Sequence, residues 1–439
     1  MENKFSVYIE TYGCQMNLSD TEIVSRVVKN AGYDLVDSPR QANVVLLNTC
    51  SVRENAERKI FERLSQLKKF KQNGEPFVIG ILGCMAERLR HKLLEETQVV
   101  DLSVGPDEYR KVPELIQKAF AGEKGIAARL SRVETYDDIE PLRKEGISAW
   151  ISIMRGCDKF CTYCVVPYTR GRERSRPLNS IVNEVKKLWD EGYKEVTLLG
   201  QNVNSYRCSQ SNADFADLLK ACALAVPKMR IRFVTSHPQD MSDKLIETIA
   251  EFSNICKYIH LPIQSGSNRI LELMGRNYTF EHYLGRIEKI RSLMPNCALS
   301  TDIIAGFPTE TIDDHQATLR SLEIIRFDGA YMFRYSPREH TKAYKMPDDV
   351  PEKEKIRRLN EIIDLQNKIS KEINETEHNK IHEVLAEGPS KKDKTKWQGR
   401  TDTNKVVIFE PKRNVAIGEL IRVKITNSTC ATLFGEIVD

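Results

Sequence analysis

The chain has 439 residues, more than one ordinary domain holds, so two or three domains are expected. Hydrophobic residues make up 41% and charged residues 29%, a globular mix, and no apolar run reaches the roughly 20 residues of a membrane helix. A net charge of +4 is too mild to carry a nucleic-acid reading by itself, and an odd count of 11 cysteines without a secretory signal argues against a disulfide framework.

Met1–Glu10 is polar and strand-like, unlike a signal or transit peptide, so a cytoplasmic protein away from membranes is expected. Phe5–Glu10, Val44–Asn48 and Phe77–Leu82 are short β-branched or aromatic runs. Between them, Ser19–Ala31 and Ala56–Lys71 place apolar residues three and four apart. This alternation predicts a doubly wound parallel α/β domain over residues 1–122, then a polar linker, Gly122–Gly146.

Residues 147–375 repeat the alternation. Trp150–Met154, Glu195–Leu199, Ile231–Thr235, Tyr258–Pro262, Leu299–Ala305 and Tyr331–Tyr335 are the candidate strands. Helical patterns such as Leu178–Trp189 and His315–Ile325 separate them, which predicts a partial (β/α)6 barrel. The charged helical run Pro351–Glu377 leads out of it. Residues 378–439 lose the helical period. Ile381–Ala386, Lys405–Phe409, Leu420–Ile425 and Thr432–Val438 predict a small antiparallel β-barrel.

Directly after the first barrel strand, Met154-Arg155-Gly156-Cys157 runs on to Phe160-Cys161-Thr162-Tyr163-Cys164, a Cys-x3-Cys-x2-Cys spacing. Three thiolates this close converge in one loop. A structural zinc site wants a fourth protein ligand, usually from a second Cys-x2-Cys pair, and none lies nearby in sequence. A four-iron cluster on three cysteines leaves one iron open. That iron can chelate the amino and carboxylate groups of S-adenosylmethionine and pass an electron to its sulfonium, releasing a 5′-deoxyadenosyl radical. Zinc and chance spacing stand as the alternatives. The C-terminal end of a barrel strand is where barrel chemistry collects.

A second set is dispersed. Cys14, Cys50 and Cys84 each follow a predicted strand and precede a helical pattern, in Tyr12-Gly13-Cys14, Asn48-Thr49-Cys50 and Leu82-Gly83-Cys84. Strand ends of a parallel sheet share one edge, so three cysteines in register would converge there, with helix N-termini favouring thiolates. One such cysteine alone reads as core packing; three read as a shared metal site with an open position able to hold a sulfur atom. Gly13 and Gly83 suit backbone approach to a bulky cluster, or a plain turn. The remaining five cysteines, Cys208, Cys222, Cys256, Cys297 and Cys430, sit singly and read as structural.

Two basic stretches suggest RNA contacts. Arg170, Arg172, Arg174 and Arg176, interrupted by Glu173, suit phosphates. Lys391, Lys392, Lys394, Lys396, Trp397 and Arg400 form a basic loop with one aromatic, a combination that suits single-stranded RNA. A solvated charged loop is the plain alternative for both.

The Cys157/Cys161/Cys164 spacing, with Tyr163 before the third cysteine, resembles the signature of the radical S-adenosylmethionine superfamily. With Cys14/Cys50/Cys84 and the closing β-barrel added, the whole chain resembles the methylthiotransferase family, whose last domain is the TRAM domain. The resemblance implies two [4Fe-4S] clusters and S-adenosylmethionine as cofactors. One S-adenosylmethionine methylates sulfur held at the Cys14/Cys50/Cys84 cluster, and a second yields the radical at the Cys157/Cys161/Cys164 cluster. The radical takes a hydrogen from the target carbon, which then receives the methylthio group.

It also implies that Tyr163, Gly200, Gln201, Asn202, Ser236, Gln264 and Gly306, at strand ends around one mouth, meet S-adenosylmethionine. An ordinary loop or cap role is the alternative for each. No catalytic residue beyond the six cysteines is assigned. The wording Gly200-Gln201-Asn202-Val203-Asn204-Ser205-Tyr206, Arg170 to Arg176 and Met274-Gly275-Arg276-Asn277-Tyr278-Thr279 resembles the family members that convert N6-dimethylallyladenosine, beside the tRNA anticodon, to its 2-methylthio derivative. The expected partners are the tRNA anticodon loop and a low-potential electron donor such as a flavodoxin, with the enzyme a monomer. Family members acting on threonylcarbamoyladenosine or on a ribosomal-protein aspartate are alternatives, as is a non-enzymatic iron–sulfur or zinc RNA-binding protein.

Overall fold

The computed structural model describes residues 5–51, 54–71, 77–411 and 414–438, so Met1–Lys4 of the expected leading segment lie outside it. Six parallel strands form the first sheet: β1 (Ser6–Tyr12), β2 (Asp34–Leu35), β3 (Val44–Thr49), β4 (Val78–Gly83), β5 (Leu102–Val104) and β6 (Gly125–Ala127). Their order is β2-β1-β3-β4-β5-β6, so the winding reverses between β1 and β3, where such sheets form a ligand crevice. β3 and β4 are buried along their whole length, because both faces of this sheet carry packed layers. The strands β2, β5 and β6 were not expected. β6 falls in the stretch read as a linker, and Tyr136 beyond it is 2% exposed in the first domain's core, so this stretch is folded onto the first domain.

β7 (Ser148–Ser152) is followed by a short antiparallel pair, β8 (Met154–Arg155) and β9 (Arg174–Ser175), which closes the cysteine loop at its base. Then come β10 (Glu195–Leu199), β11 (Arg230–Phe233), β12 (Tyr258–His260), β13 (Ala298–Ala305) and β14 (Gly329–Arg334). β7, β10 and β11 pair in parallel, as do β12, β13 and β14, and a parallel bridge between Ile231 and Ile255 joins the two halves. The result is an open six-stranded (β/α) barrel. The charged helix Glu352–Glu375 packs back on it, with Ile362 and Ile369 in the barrel's core.

The third domain is a closed five-stranded barrel of β15 (Ile381–Pro389), β16 (Trp397–Arg400), β17 (Val406–Glu410), β18 (Leu420–Ser428) and β19 (Thr432–Ile437). One of its contacts, β17 with β19, is parallel. It seats on the floor of the larger barrel, at the N-terminal strand ends. There Arg232 donates to the Thr401 and Asp402 carbonyls at 2.7 Å each, and Arg230 donates to the Arg400 carbonyl at 2.8 Å. Lys405 closes the contact on Asp328 at 2.7 Å.

The first domain meets the barrel through buried charge. Asp20 on the helix Gln15–Asn30 accepts from Arg155 at 2.8 Å and from Arg170 at 2.7 Å, and the Tyr109 hydroxyl donates to it at 3.2 Å. Arg174 reaches Asp107 at 2.7 Å, and Arg155 also lies over the Tyr136 ring. Burial alone would raise the Asp20 carboxyl; the two guanidiniums outweigh it and hold the group below the usual carboxylate range. Beside this lies a weaker pairing: Arg143 binds Glu184 and approaches Glu22 at 3.7 Å.

Asp20→Ala leaves two buried guanidiniums without their counter-charge and is expected to cost about 3–5 kcal/mol, seen as a lowered thermal unfolding midpoint. Burial pushes the Glu22 carboxyl up to about 7, with Glu184 adding and Arg143 only partly opposing. The folded chain therefore keeps a proton that the unfolded chain releases near pH 4.3, and stability falls as pH rises from about 4.3 to about 7. Glu22→Gln is expected to flatten that part of a midpoint-against-pH curve.

Candidate active site

The tips of β1, β3 and β4 carry the first three cysteines. Tyr12 lies opposite Thr49, and Thr49 opposite Gly83, so the chain leaves all three strands at one level. Cys14, Cys50 and Cys84 follow there, and at about 4.8 Å per strand step the trio covers about 10 Å of sheet edge. A Cβ on Gly13 would lie 2.8 Å from the Cys50 Cβ, and one on Gly83 2.6 Å from the Thr49 carbonyl oxygen, so both positions need glycine. Asn48 and Asn17 lock the edge, the Asn48 amide donating to the Asn17 carbonyl at 2.8 Å and the Asn17 amide to the Thr49 carbonyl at 3.2 Å. Cys14 is exposed, whereas Cys50 and Cys84 are buried. A hydrogen bond from the Cys50 thiol, with the charge of Arg170 behind it, pulls Cys14 down to about 6; burial pushes Cys84 up, and Arg170 opposes that.

Cys157, Cys161 and Cys164 occupy the loop between β8 and β9. Gly156 turns into it with φ of 81°, and a Cβ there would sit 2.0 Å from the Arg172 carbonyl oxygen. The Gln201 side chain accepts from the Gly156 amide at 2.5 Å, and the Thr162 amide donates to the Met274 carbonyl at 2.9 Å. Burial pushes the Cys157 and Cys164 thiols up to about 12, so a cationic centre is what would draw them into the thiolate form. Arg276, buried, donates to the Cys161 sulfur at 3.3 Å, to the Pro262 carbonyl at 3.0 Å and to the Tyr278 hydroxyl at 3.1 Å. The sequence marks no role for Arg276 or Asp20, because the cysteine that Arg276 meets is 115 residues away and the arginines that Asp20 meets are 135 and 150 residues away.

The other residues at these strand ends are held in different ways. Asn202 donates to Asp240 at 2.7 Å, which also holds Lys159 of the cysteine loop at 2.8 Å. Tyr163 packs edge-on against Phe307. Gln264 is buried with φ of 70°, and Gly200 lies where a Cβ would meet Met154. Gly306 donates its amide to Glu310 at 3.0 Å. His237 packs edge-on against Tyr278; burial first, then Arg276 and Lys159, lower it to about 2, so it is neutral.

The donor set fits iron–sulfur clusters and S-adenosylmethionine. Among the described residues, no three His, Cys, Asp or Glu side chains gather tightly enough for a single metal ion. A cube that binds each thiolate through a different iron needs no such crowding. Asn202 Oδ1, Ser236 Oγ and His237 Nε2 are buried at the barrel mouth without partners, as is Arg170 Nη1 beside Cys84, so polar atoms await a ligand at both trios.

Three family models match the chain: the uncharacterized protein family UPF0004 over residues 6–105, the radical SAM superfamily over 151–322 and the TRAM domain over 375–438. A tRNA-2-methylthio-N(6)-dimethylallyladenosine synthase of Chloroherpeton thalassium is 54% identical over 433 residues, covering 98% of this chain and 96% of that protein. One from Phocaeicola vulgatus is 52% identical over 441 residues, covering 99% and 96%. The chain belongs to this family, the radical S-adenosylmethionine methylthiotransferases. Solved structures share its fold: the radical S-adenosylmethionine methyltransferase TsrM of Kitasatospora setae, TM-score 0.58 at 14% identity over 78% of this chain and 74% of that one, and the cobalamin-dependent S-adenosylmethionine radical enzyme OxsB, TM-score 0.53 at 13% identity over 83% and 56%.

Three of the four arginines in the run are not free for the RNA contact expected from its composition. Arg170, Arg174 and Arg176 are 3%, 5% and 7% exposed, and each is committed inside the protein, Arg176 to Glu184 at 2.8 Å. Only Arg172 is exposed, paired with Asp158 at 2.6 Å beside the Phe160 ring. In the third domain, Trp397 and Arg400 lie on β16 and not in a loop; Trp397 packs against the small barrel's core and Arg400 pairs with Glu387 at 3.0 Å. Lys391, Lys392 and Lys394 are exposed, and Lys396 is half-buried near Glu410. Cys208, Cys222, Cys256 and Cys297 are buried, whereas Cys430 is exposed.

Gly156→Ala forces the cysteine loop off the Arg172 carbonyl. It is expected to take up less iron than the parent on anaerobic reconstitution.

Proposed function

We propose that the chain catalyses radical methylthiolation of N6-dimethylallyladenosine at carbon 2, in tRNA next to the anticodon, using S-adenosylmethionine both as methyl donor and as radical source. One observation carries the reading beyond family membership. The Gly171 carbonyl accepts from the Cys157 amide at 3.1 Å, while the adjacent Arg170 side chain donates to the Cys84 sulfur at 3.2 Å. A single dipeptide thus touches both cysteine trios, which supports a reading in which they serve one substrate. An aromatic carbon–hydrogen bond yields to a carbon radical and not to acid–base groups, and the sulfur must then arrive in the same cavity.

Cys14, Cys50 and Cys84 hold one [4Fe-4S] cluster in this reading, and Cys157, Cys161 and Cys164 the other. Bound there, the clusters and S-adenosylmethionine supply reductive cleavage of a sulfonium and a transferable sulfur. The chain's own residues bind and orient. Gln201 holds the cysteine loop through Gly156, while Asn202 and Ser236 offer unpartnered oxygens to the methionine end of S-adenosylmethionine. Tyr163, Gly200, Gln264 and Gly306 shape the rim, and neutral His237 adds a ring nitrogen. Lys391, Lys392 and Lys394 supply exposed charge for RNA phosphates, with Arg172 beside the mouth. A low-potential electron donor such as a flavodoxin, a monomeric enzyme and a cytoplasmic location complete the proposal. No helix among the described residues is long and apolar enough to cross a membrane.

Mass spectrometry of tRNA nucleosides from cells lacking the gene is expected to show N6-dimethylallyladenosine accumulating without its 2-methylthio derivative. Loss of a methylthio group from threonylcarbamoyladenosine alone, or from a ribosomal protein, would move the substrate. Cys84→Ala is expected to keep forming 5′-deoxyadenosine while methylthiolation falls below detection. Full product from that variant would remove the donor role of the first domain.

A further inference from the structure

Arg170 belongs to the cysteine loop of the barrel, yet its side chain lies in the first domain. Its three nitrogens are used unequally. Nε donates to the Cys84 sulfur at 3.2 Å, Nη2 donates to Asp20 at 2.7 Å, and Nη1 is buried without any partner. Arg155, Arg170 and Arg174 share Asp20 and Asp107, and their positive charge favours thiolates at the neighbouring trio. Arg155 Nη1 is also buried without a hydrogen-bond partner, on a guanidinium that lies over the Tyr136 ring, whereas Arg170 Nη1 belongs to a side chain that already donates to a cysteine of the trio.

We propose that Arg170 is a positioning residue of the N-terminal cysteine site, donating Nε–H to the Cys84 sulfur and Nη1–H to an anionic sulfur of the group held there. This rests on the reading of Cys14, Cys50 and Cys84 as cluster ligands. The guanidinium then aims a sulfur of that group toward the barrel from which Arg170 comes. Hydrogen bonds to the sulfurs of an iron–sulfur cluster, and positive charge beside it, favour the more negative, reduced form and raise the reduction potential. Asp20 carries the structural part of the same side chain, so the two roles can be separated by experiment.

The test uses the full chain with Cys157, Cys161 and Cys164 replaced by alanine, which leaves only the N-terminal site, reconstituted anaerobically with iron and sulfide. Arg170→Lys keeps a cation for Asp20 but loses the planar fork; Arg170→Gln loses both. Iron content is expected to match the parent, and the midpoint in a redox titration followed by electron paramagnetic resonance is expected to move to more negative values, further in Arg170→Gln. A tenfold weaker hold on the reduced form corresponds to about 59 mV for a one-electron couple. If Arg170→Gln does not fold, Arg170→Lys decides alone. An Arg170→Lys protein with full iron and the parent's midpoint overturns the proposal and leaves the cluster reading intact. A parent that takes up no iron overturns the cluster reading and the proposal with it.

Discussion

The arrangement depends on one buried carboxylate. Asp20 sits on the first helix of the first domain and takes guanidinium groups from two points of the barrel, Arg155 on β8 and Arg170 in the cysteine loop. Buried ion pairs add little net stability, because desolvation cancels most of the attraction, but they are intolerant of a missing or displaced partner. Their contribution here is geometric. The tip of the first sheet, with Cys14, Cys50 and Cys84, is held against the mouth of the barrel in one orientation. Without that clamp the two trios would be held less firmly to one another, and the proposed transfer of sulfur between their sites would lose positional advantage.

Each trio is also held by backbone that only glycine can supply. Gly13 and Gly83 let three strand tips close on one another, and Gly156 lets the barrel loop fold under the Arg172 carbonyl. An arginine then reaches one sulfur in each trio, Arg170 to Cys84 and Arg276 to Cys161. Both donors come from outside the turn that carries their cysteine, so the environment of each sulfur is set by tertiary packing.

The larger barrel is covered at both ends. Its C-terminal strand ends face the first domain, and its floor is occupied by the turn Thr401–Asn404 of the small barrel. The strand Ala298–Ala305 has eight residues, so at about 3.3 Å per residue and a tilt of about 36° mouth and floor lie about 20 Å apart. A free nucleoside engages only one of these ends, whereas a polynucleotide can engage both. That separation accords with the proposed tRNA substrate and with a small barrel whose exposed lysines lie remote from the chemistry.

Much of this was legible in the chain itself. Apolar runs with turn signals between them marked β1, β3 and β4, and the strands of the larger barrel, within a residue or two; Cys157, Cys161 and Cys164 stand out by their close spacing, and Cys14, Cys50 and Cys84 by their places at strand tips. Short elements escaped: β2, β5 and β6 have two or three residues and no period to detect, and β16 is four residues long, contains Gly399 and lies behind a run of lysines. The arginine run escaped for a different reason. Local sequence determined that Arg170, Arg174 and Arg176 are cations on an irregular segment, but an exposed phosphate-binding loop and a buried clamp have the same composition. Asp20 and Arg170 are 150 residues apart, and only the docking of one domain on the other decides that they meet. Strand and helix preferences arise among neighbours within a few positions, so the sequence alone determined the three-domain pattern and the six cysteines. The partner of a buried charge is selected by which surfaces exclude water together, and that was decided by the tertiary structure.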